Sequence, residues 1–293
     1  MPVRPPRRHL RRWIIALPLP HDTYGATDRG RTRSQNEDQF LVAQLGRSLE
    51  VAQTSVVWQD SPSLHGGLRG QLLIVADGVG GSLGGEAASS IASQLVTEHV
   101  ATAAPWFFGS AAKDESGDPS ARMLEDAMRR AHQAVLQAGR ENPRHEGMAT
   151  TLTLACVVWP RLYVGHVGDS RCYLHREGRL HRLTQDHTLE HYLQERGVQM
   201  SDGRKRQSRD IVVNVMGGEM GGVEPVVRVE ALRAGDSLLL CSDGLTKHVP
   251  DQELAEQLGS RLSAYATVGA LIRLANERGG SDNITVIVSR FVG

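Results

Sequence analysis

Apolar residues recur along this chain with two periods, and the change of period marks its elements. Leu72 to Ala76 is an unbroken apolar run, ended by Asp77 and by glycines at 78, 80 and 81. A short run of that kind predicts a strand buried on both faces. Comparable stretches at 37–43, 150–158, 161–167, 170–176, 179–183, 225–230, 237–241 and 283–291 predict further strands. The segment 49–57, within RSLEVAQTSVVW, predicts the second arm of a hairpin, and Glu177-Gly178 suits a two-residue turn. Over 84–103 the period lengthens, and Ala88, Ile91, Ala92, Leu95, Val96 and Val100 share one helical face. A second helix opens on Asp118 as N-cap with Pro119 in its first turn. Met123, Ala127, Met128, Ala131 and Val135 make its inward stripe, and Gly139 follows its expected end. Two more helices are expected near 251–259 and 263–277. Residues 186–222 are polar, glycine-bearing and weakly periodic, as in a functional lid. Strands and helices come in blocks. That order predicts an α+β fold, a central antiparallel sandwich flanked by helices, in one domain over 23–293.

The first 22 residues stand apart. Arg4, Arg7, Arg8, Arg11 and Arg12 precede WIIALPLP, which is too short for a leader and is broken by Pro18 and Pro20. The expectation is a disordered basic tail. The 293 residues carry 33 Lys+Arg and 33 Asp+Glu, so no global field favours nucleic acid or a membrane surface. No stretch approaches the roughly 20 apolar residues of a membrane span. Cys156, Cys172 and Cys241 lie in apolar runs without pairing or metal-ligand spacing, which predicts reduced, buried thiols in the cytoplasm.

Acids mark the ends of the buried runs. Asp77, Asp169 and Asp243 each follow a strand, and Asp282 and the pair Glu37-Asp38 each precede one. One such acid is a turn. Five clusters together repel each other strongly unless a cation compensates them. Carboxylates with a bare glycine carbonyl beside them suit Mg2+ or Mn2+.

The stretches GRTRSQNEDQF, VADGVGG, GMATTLTLA, VGHVGDSRCYL, LTQDHTL, LLLCSDGLTKHV and GGSDNITVIV occur in an order that resembles the metal-dependent, type 2C serine/threonine protein phosphatases, bacterial members above all. The resemblance covers about residues 23–292. It implies a dinuclear Mn2+/Mg2+ site at one end of the sandwich, where water bridged by the metals hydrolyses phosphoserine or phosphothreonine without a covalent intermediate. By the family pattern Asp77 bridges both ions, the Gly78 carbonyl serves one, and Asp243 and Asp282 serve the other. Glu37 and Asp38 act through metal-held water. Bacterial relatives often bind a third ion through the acids that here are Asp169 and Asp243. Arg33 matches the arginine that grips substrate phosphate, so Arg33, Asp38 and Asp77 are the expected catalytic residues. The segment 186–222 corresponds to the mobile flap. Implied partners are phosphorylated proteins, a Ser/Thr protein kinase and its substrates, with the phosphatase monomeric.

Two positions depart from the pattern. Val79 stands where animal relatives carry a histidine proposed as general acid, and Ala149 replaces a glycine before Thr150-Thr151. His166 and His187 are expected to make packing or loop contacts. Other phosphatase chemistries are disfavoured: the residues six positions after the cysteines are Leu162, Gly178 and Lys247, not arginine. The alternative is a catalytically weak or inactive relative that uses the fold to bind phosphoproteins. A metal-dependent nuclease is remote, because the sequence offers no basic groove beyond the tail and flap.

Overall fold

The computed structural model describes residues 21–50, 63–79, 83–107, 118–218 and 222–291. In chain order the first half contains β1 (His21–Asp28), β2 (Gln39–Glu50), β3 (Ser63–Ala76), β4 (Gly78–Val79), α1 (Leu83–Phe107), α2 (Pro119–Glu141), β5 (Ala149–Thr150), β6 (Leu152–Val158) and β7 (Arg161–Val167). Then follow β8 (Arg171–Arg176), β9 (Arg179–Arg182), α3 (Leu189–Glu195), α4 (Asp202–Arg209), β10 (Met216–Gly217) and β11 (Val226–Ala231). The chain closes with β12 (Ser237–Cys241), α5 (Asp243–Thr246), α6 (Asp251–Gly259), α7 (Ala264–Glu277) and β13 (Ile284–Phe291).

Two five-stranded sheets carry the fold, in the orders β1-β13-β12-β8-β9 and β11-β7-β6-β3-β2. Their pairings are antiparallel throughout. Because successive strand residues point to opposite faces, each central strand feeds two cores. Leu238 and Leu240 of β12 meet Leu73, Val75 and Ala155 of the facing sheet, and this seam joins the sandwich. Leu239 and Cys241 point outward onto Leu254, Leu258, Val268 and Leu271 of α6 and α7. On the other outer face Leu72, Ile74 and Leu154 pack against Ala88 and Ala92 of α1 and Leu124 and Met128 of α2. Burial on both faces explains the unbroken apolar runs. The fold class is the one expected, with helices on both outer faces of the sandwich.

Several boundaries differ from the sequence expectation. Arg47–Glu50 continues β2, the first arm of its hairpin; the partner arm is β3, and residues 51–62 lie outside the described residues. β1, which begins at His21 inside the stretch read as tail, was not predicted. Its Gly25 sits over Phe40, whose ring a Cβ there would meet at 2.9 Å. α2 does begin on Asp118, which accepts from Ser120 N, but it runs through Gly139 and ends at the Asn142 cap. Gly139 answers to packing instead, since its Cβ would lie 3.1 Å from the His145 carbonyl. The segment 186–222 holds two short helices, α3 and α4, and the strand β10. All three cysteines are free and buried, and burial pushes the Cys156 and Cys241 thiols up to about 12. Among the described residues no helix is long and apolar enough to cross a membrane.

Leu240 lies at the centre of the seam and is fully buried. Leu240→Ala leaves a cavity between two sheets that cannot close on it, and should cost about 2–5 kcal/mol in urea unfolding at constant m-value.

Candidate active site

Antiparallel pairing decides where the acids go. Cys241, the last residue of β12, pairs with Arg171 at the start of β8 and with Val286 near the start of β13. In the facing sheet Ala76 at the end of β3 pairs with Gln39 at the start of β2, and Val167 at the end of β7 with Leu152 at the start of β6. Strand ends and strand starts that carry Glu37, Asp38, Asp77, Asp169, Asp243 and Asp282 therefore meet at one end of the sandwich. All but Asp38 line a cleft of about 150 Å3, together with Arg33, Gly78, Val79, Lys247 and, from the expected flap, Asp210 and Val212.

Asp38 is the deepest of them, 2% exposed. Its Oδ2 accepts from Ser242 Oγ at 2.8 Å and Thr285 Oγ1 at 2.6 Å, while its buried Oδ1 has no hydrogen-bond partner. Burial, and then the charges of Asp243 and Asp282, push its carboxyl up to about 7 against the pull of the two hydroxyls. Burial also raises Asp77 well above the usual carboxylate range, helped by Asp38, Asp243, Asp169 and Asp282. Asp169 rises to about 7 through burial and the neighbouring Asp243 and Asp186. Asp243 is raised by burial although Lys247 opposes it, and its Oδ1 too is buried without a partner. Only Asp282 falls below its ordinary value: burial acts to raise it, but Lys247, the Asn283 N–H and Arg33 outweigh that.

The backbone around these acids is tightly fixed. Thr150 Oγ1 and Thr151 N both donate to the Asp77 carbonyl, at 2.9 Å each. The Asn283 side chain accepts from Glu37 N and donates to the carbonyls of Arg29 and Gln35, at 2.9 Å each. Gly78 has no room for a side chain: a Cβ would lie 2.4 Å from the Gly85 carbonyl and 2.8 Å from that of Glu37. The glycine after Asp77 is thus demanded by close approach of backbone to backbone.

The donors fit a hard divalent cation in kind. All are oxygen ligands, two buried carboxylate oxygens lack partners, and burial, with repulsion from neighbouring acids, raises four of the acids. They are not drawn together into a closed cage: among the described residues no three His, Cys, Asp or Glu side chains stand close enough to hold an ion as placed. Two cations of the protein sit among them. Arg33 Nε lies 2.8 Å from Asp282 Oδ1 and its NH2 donates to Oδ2 at 3.0 Å. Lys247 Nζ lies 2.6 Å from Asp243 Oδ2 and 2.8 Å from Asp282 Oδ2. Arg33 belongs to the sequence expectation; Lys247 does not. Its four-residue spacing from Asp243 was visible, but its contact with Asp282 depends on the β12-β13 pairing.

A family profile described as Protein phosphatase 2C matches residues 49–277. The chain belongs to the protein phosphatase 2C family. It is 34% identical over 91% of its length to the serine/threonine protein phosphatase PstP of Mycobacterium tuberculosis, of which it spans only 44%. It is 33% identical to the serine/threonine phosphatase stp of Listeria welshimeri, over 89% of this chain and 92% of that one. Among solved structures, the catalytic domain of PstP in complex with two manganese ions shares 31% identity and a TM-score of 0.70, over 93% of this chain and 99% of that one.

In this family member the two departures have plain surroundings. Val79 is 38% exposed beside the cleft. Ala149 pairs with Val79 on one side and Gly217 on the other, in the small sheet β10-β5-β4. The expected flap is tied at its base: Leu189 N donates to the Ile211 carbonyl and Val213 N to that of His187, at 2.8 Å each. Arg171 grips Asp186 with two hydrogen bonds, at 3.1 and 2.7 Å. His187 accepts from Gly168 N and lies against His166, ring centroids 4.7 Å apart. Both histidines make the packing and loop contacts expected of them. His166 Nε2 donates to the Gln185 carbonyl at 2.9 Å, leaving Nδ1 to accept from Thr153 Oγ1.

Burial, with the nearby His187, pushes the His166 imidazole down to about 3. The unfolded chain therefore binds one more proton than the folded one as pH falls below about 6.5. The stabilisation is complete above that pH and is lost on acidification, at up to about 1.4 kcal/mol per pH unit. Urea unfolding between pH 7.5 and 5 should show this slope, and His166→Gln should flatten it by about that amount relative to the parent protein.

Proposed function

We propose that this chain is a divalent-cation-dependent serine/threonine protein phosphatase. The reading rests on one observation: six acids from five strand boundaries gather at one end of the sandwich, with buried carboxylate oxygens on Asp38 and Asp243 that no protein group satisfies. Family membership and the manganese complex of PstP support it. Asp77, the Gly78 carbonyl, Asp243 and Asp282 would hold two Mn2+ or Mg2+ ions, Glu37 and Asp38 would hold their water, and Asp169 with Asp243 would serve a third. Such a pair of ions supplies charge compensation and an acidic water nucleophile at neutral pH.

The chain's own groups then have separable roles. Arg33, with its side chain 48% exposed at the cleft, can turn from Asp282 to a substrate phosphate and meet two oxygens at once with its planar fork. Asp38, held by Ser242 and Thr285, keeps a fixed acceptor under the cleft floor. Water displaces the seryl or threonyl oxygen from phosphorus, and that oxygen leaves with a proton. Val79 offers no proton donor, so the proton comes from water or from another group. No thiol serves as nucleophile, because burial keeps all three protonated. The intended substrates are phosphoproteins, products of a Ser/Thr kinase, met by a cytoplasmic monomer through the segment 186–222. The complete acid set argues against an inactive phosphoprotein-binding relative.

Chelated protein should lose hydrolysis of a phosphothreonine peptide and regain it with Mn2+, while Asp77→Asn should lower the rate by roughly 1,000-fold or more with Mn2+ present. Near-native turnover in excess chelator would overturn the reading. Arg33→Ala should raise KM for a phenyl phosphate ester about ten-fold or more without weakening Mn2+ binding, and Arg33→Lys should recover only part of the loss. Steady-state kinetics on the ester, beside a Mn2+ titration, would check both.

A further inference from the structure

The second cation position of the proposed site is not simply open to solvent. Lys247 lies one turn beyond Asp243, at the end of α5, and its backbone N–H donates to the Asp243 carbonyl at 2.8 Å. This anchors the side chain at its root. The ammonium then reaches between two carboxylates that the fold brings together, 2.6 Å from Asp243 Oδ2 and 2.8 Å from Asp282 Oδ2. Those two aspartates are the pair assigned above to one ion, while the other position, at Asp77 and Gly78, is not contacted by Lys247.

We propose that Lys247 is a built-in competitor for the cation at Asp243 and Asp282, so that this ion binds only by evicting the ammonium, whereas the position at Asp77 and Gly78 has no lysine bonded to it. The inference rests on the metal reading of the site. A divalent ion of the size of Mg2+ shared by the same two oxygens would sit roughly 2.0–2.1 Å from each. An ammonium at hydrogen-bond distance from both occupies nearly the same point, so the two exclude each other sterically and by like charge. Eviction breaks two charge-assisted hydrogen bonds, which belong to the stronger class. It leaves Arg33 as the one remaining protein cation bonded to Asp282, and Asp243 with the metal as its sole compensating charge among the contacts described. Without metal, Lys247 has the opposite effect, since it is the described counter-charge of Asp243 and shares Asp282 with Arg33. The cation sites therefore fill in sequence, and the second responds to cation supply over a higher range than the first.

Lys247→Met keeps the length of the side chain and removes the charge. Chelated protein titrated with Mn2+ alone, by calorimetry and by the loss of the free Mn2+ paramagnetic resonance signal, should show one tight and one weak step in the parent. In Lys247→Met the weak step should tighten about ten-fold or more and the tight step should hold. Lys247→Arg keeps a cation at the position and should retain the weak step, which separates charge from general disturbance. Melting offers a second readout: metal-free Lys247→Met should melt below the parent, and Mn2+ should raise its Tm by more. Two Mn2+ bound with unchanged affinities in Lys247→Met, or a weaker second step there, would overturn the role given to Lys247 while leaving the metal reading intact. No Mn2+ bound by either protein would overturn the metal reading, and this inference with it.

Discussion

Repulsion among carboxylates held out of water governs this molecule. Four aspartates at one end of the sandwich are raised above their ordinary range by burial and by one another, and only Asp282, with Arg33 and Lys247 on it, is not. A fold would not keep such a group together by packing alone. The surrounding structure supplies the restraint: ladder hydrogen bonds up to the last residue of β12, hydroxyls of Ser242 and Thr285 on Asp38, and the two threonines on the Asp77 carbonyl. Acids that repel are fixed to strands that cannot part.

That arrangement depends on strands buried on both faces. A sheet with one wet face could bend or slip; here Leu239 and Leu240 are committed to different cores, and a slip of one residue would exchange them. Register therefore transmits directly to the relative placement of Asp243 and Asp282. The cleft stays small because backbone fills the space beneath it, with Gly78 and Gly85 in contact where side chains would force them apart.

Much of this was legible in the amino-acid order. Apolar runs ended by acids marked most strands of the sandwich, and the acids themselves marked the site. The illegible parts share a physical cause: local pattern does not report distant contacts. The first strand, HDTYGATD, lacks an apolar run because its Gly25 yields space to Phe40 and its Thr23 joins Ser289 through hydroxyls 2.7 Å apart. α4 carries GRKRQSR and almost no apolar residue, so no periodicity announced it. Gly139 looked like a helix end but answers to the His145 carbonyl. Nothing local marked Lys247 as a partner of Asp282, and their separation of 35 positions concealed the meeting.

Asn283 joins stretches of chain 246 residues apart, and through it the backbone of the Glu37 loop is sewn to the entrance of β13. During synthesis, the segment bearing Arg33, Glu37 and Asp38 leaves the ribosome long before its partner exists. β1 likewise lacks its strand neighbour in that sheet, and β12 one of its two, until β13 emerges. A nascent chain halted before residue 281 has its helices and half of its sandwich, yet no floor for the cleft. The cleft thus closes with β13 rather than forming step by step, and a partly made chain carries the acids without the geometry that gathers them.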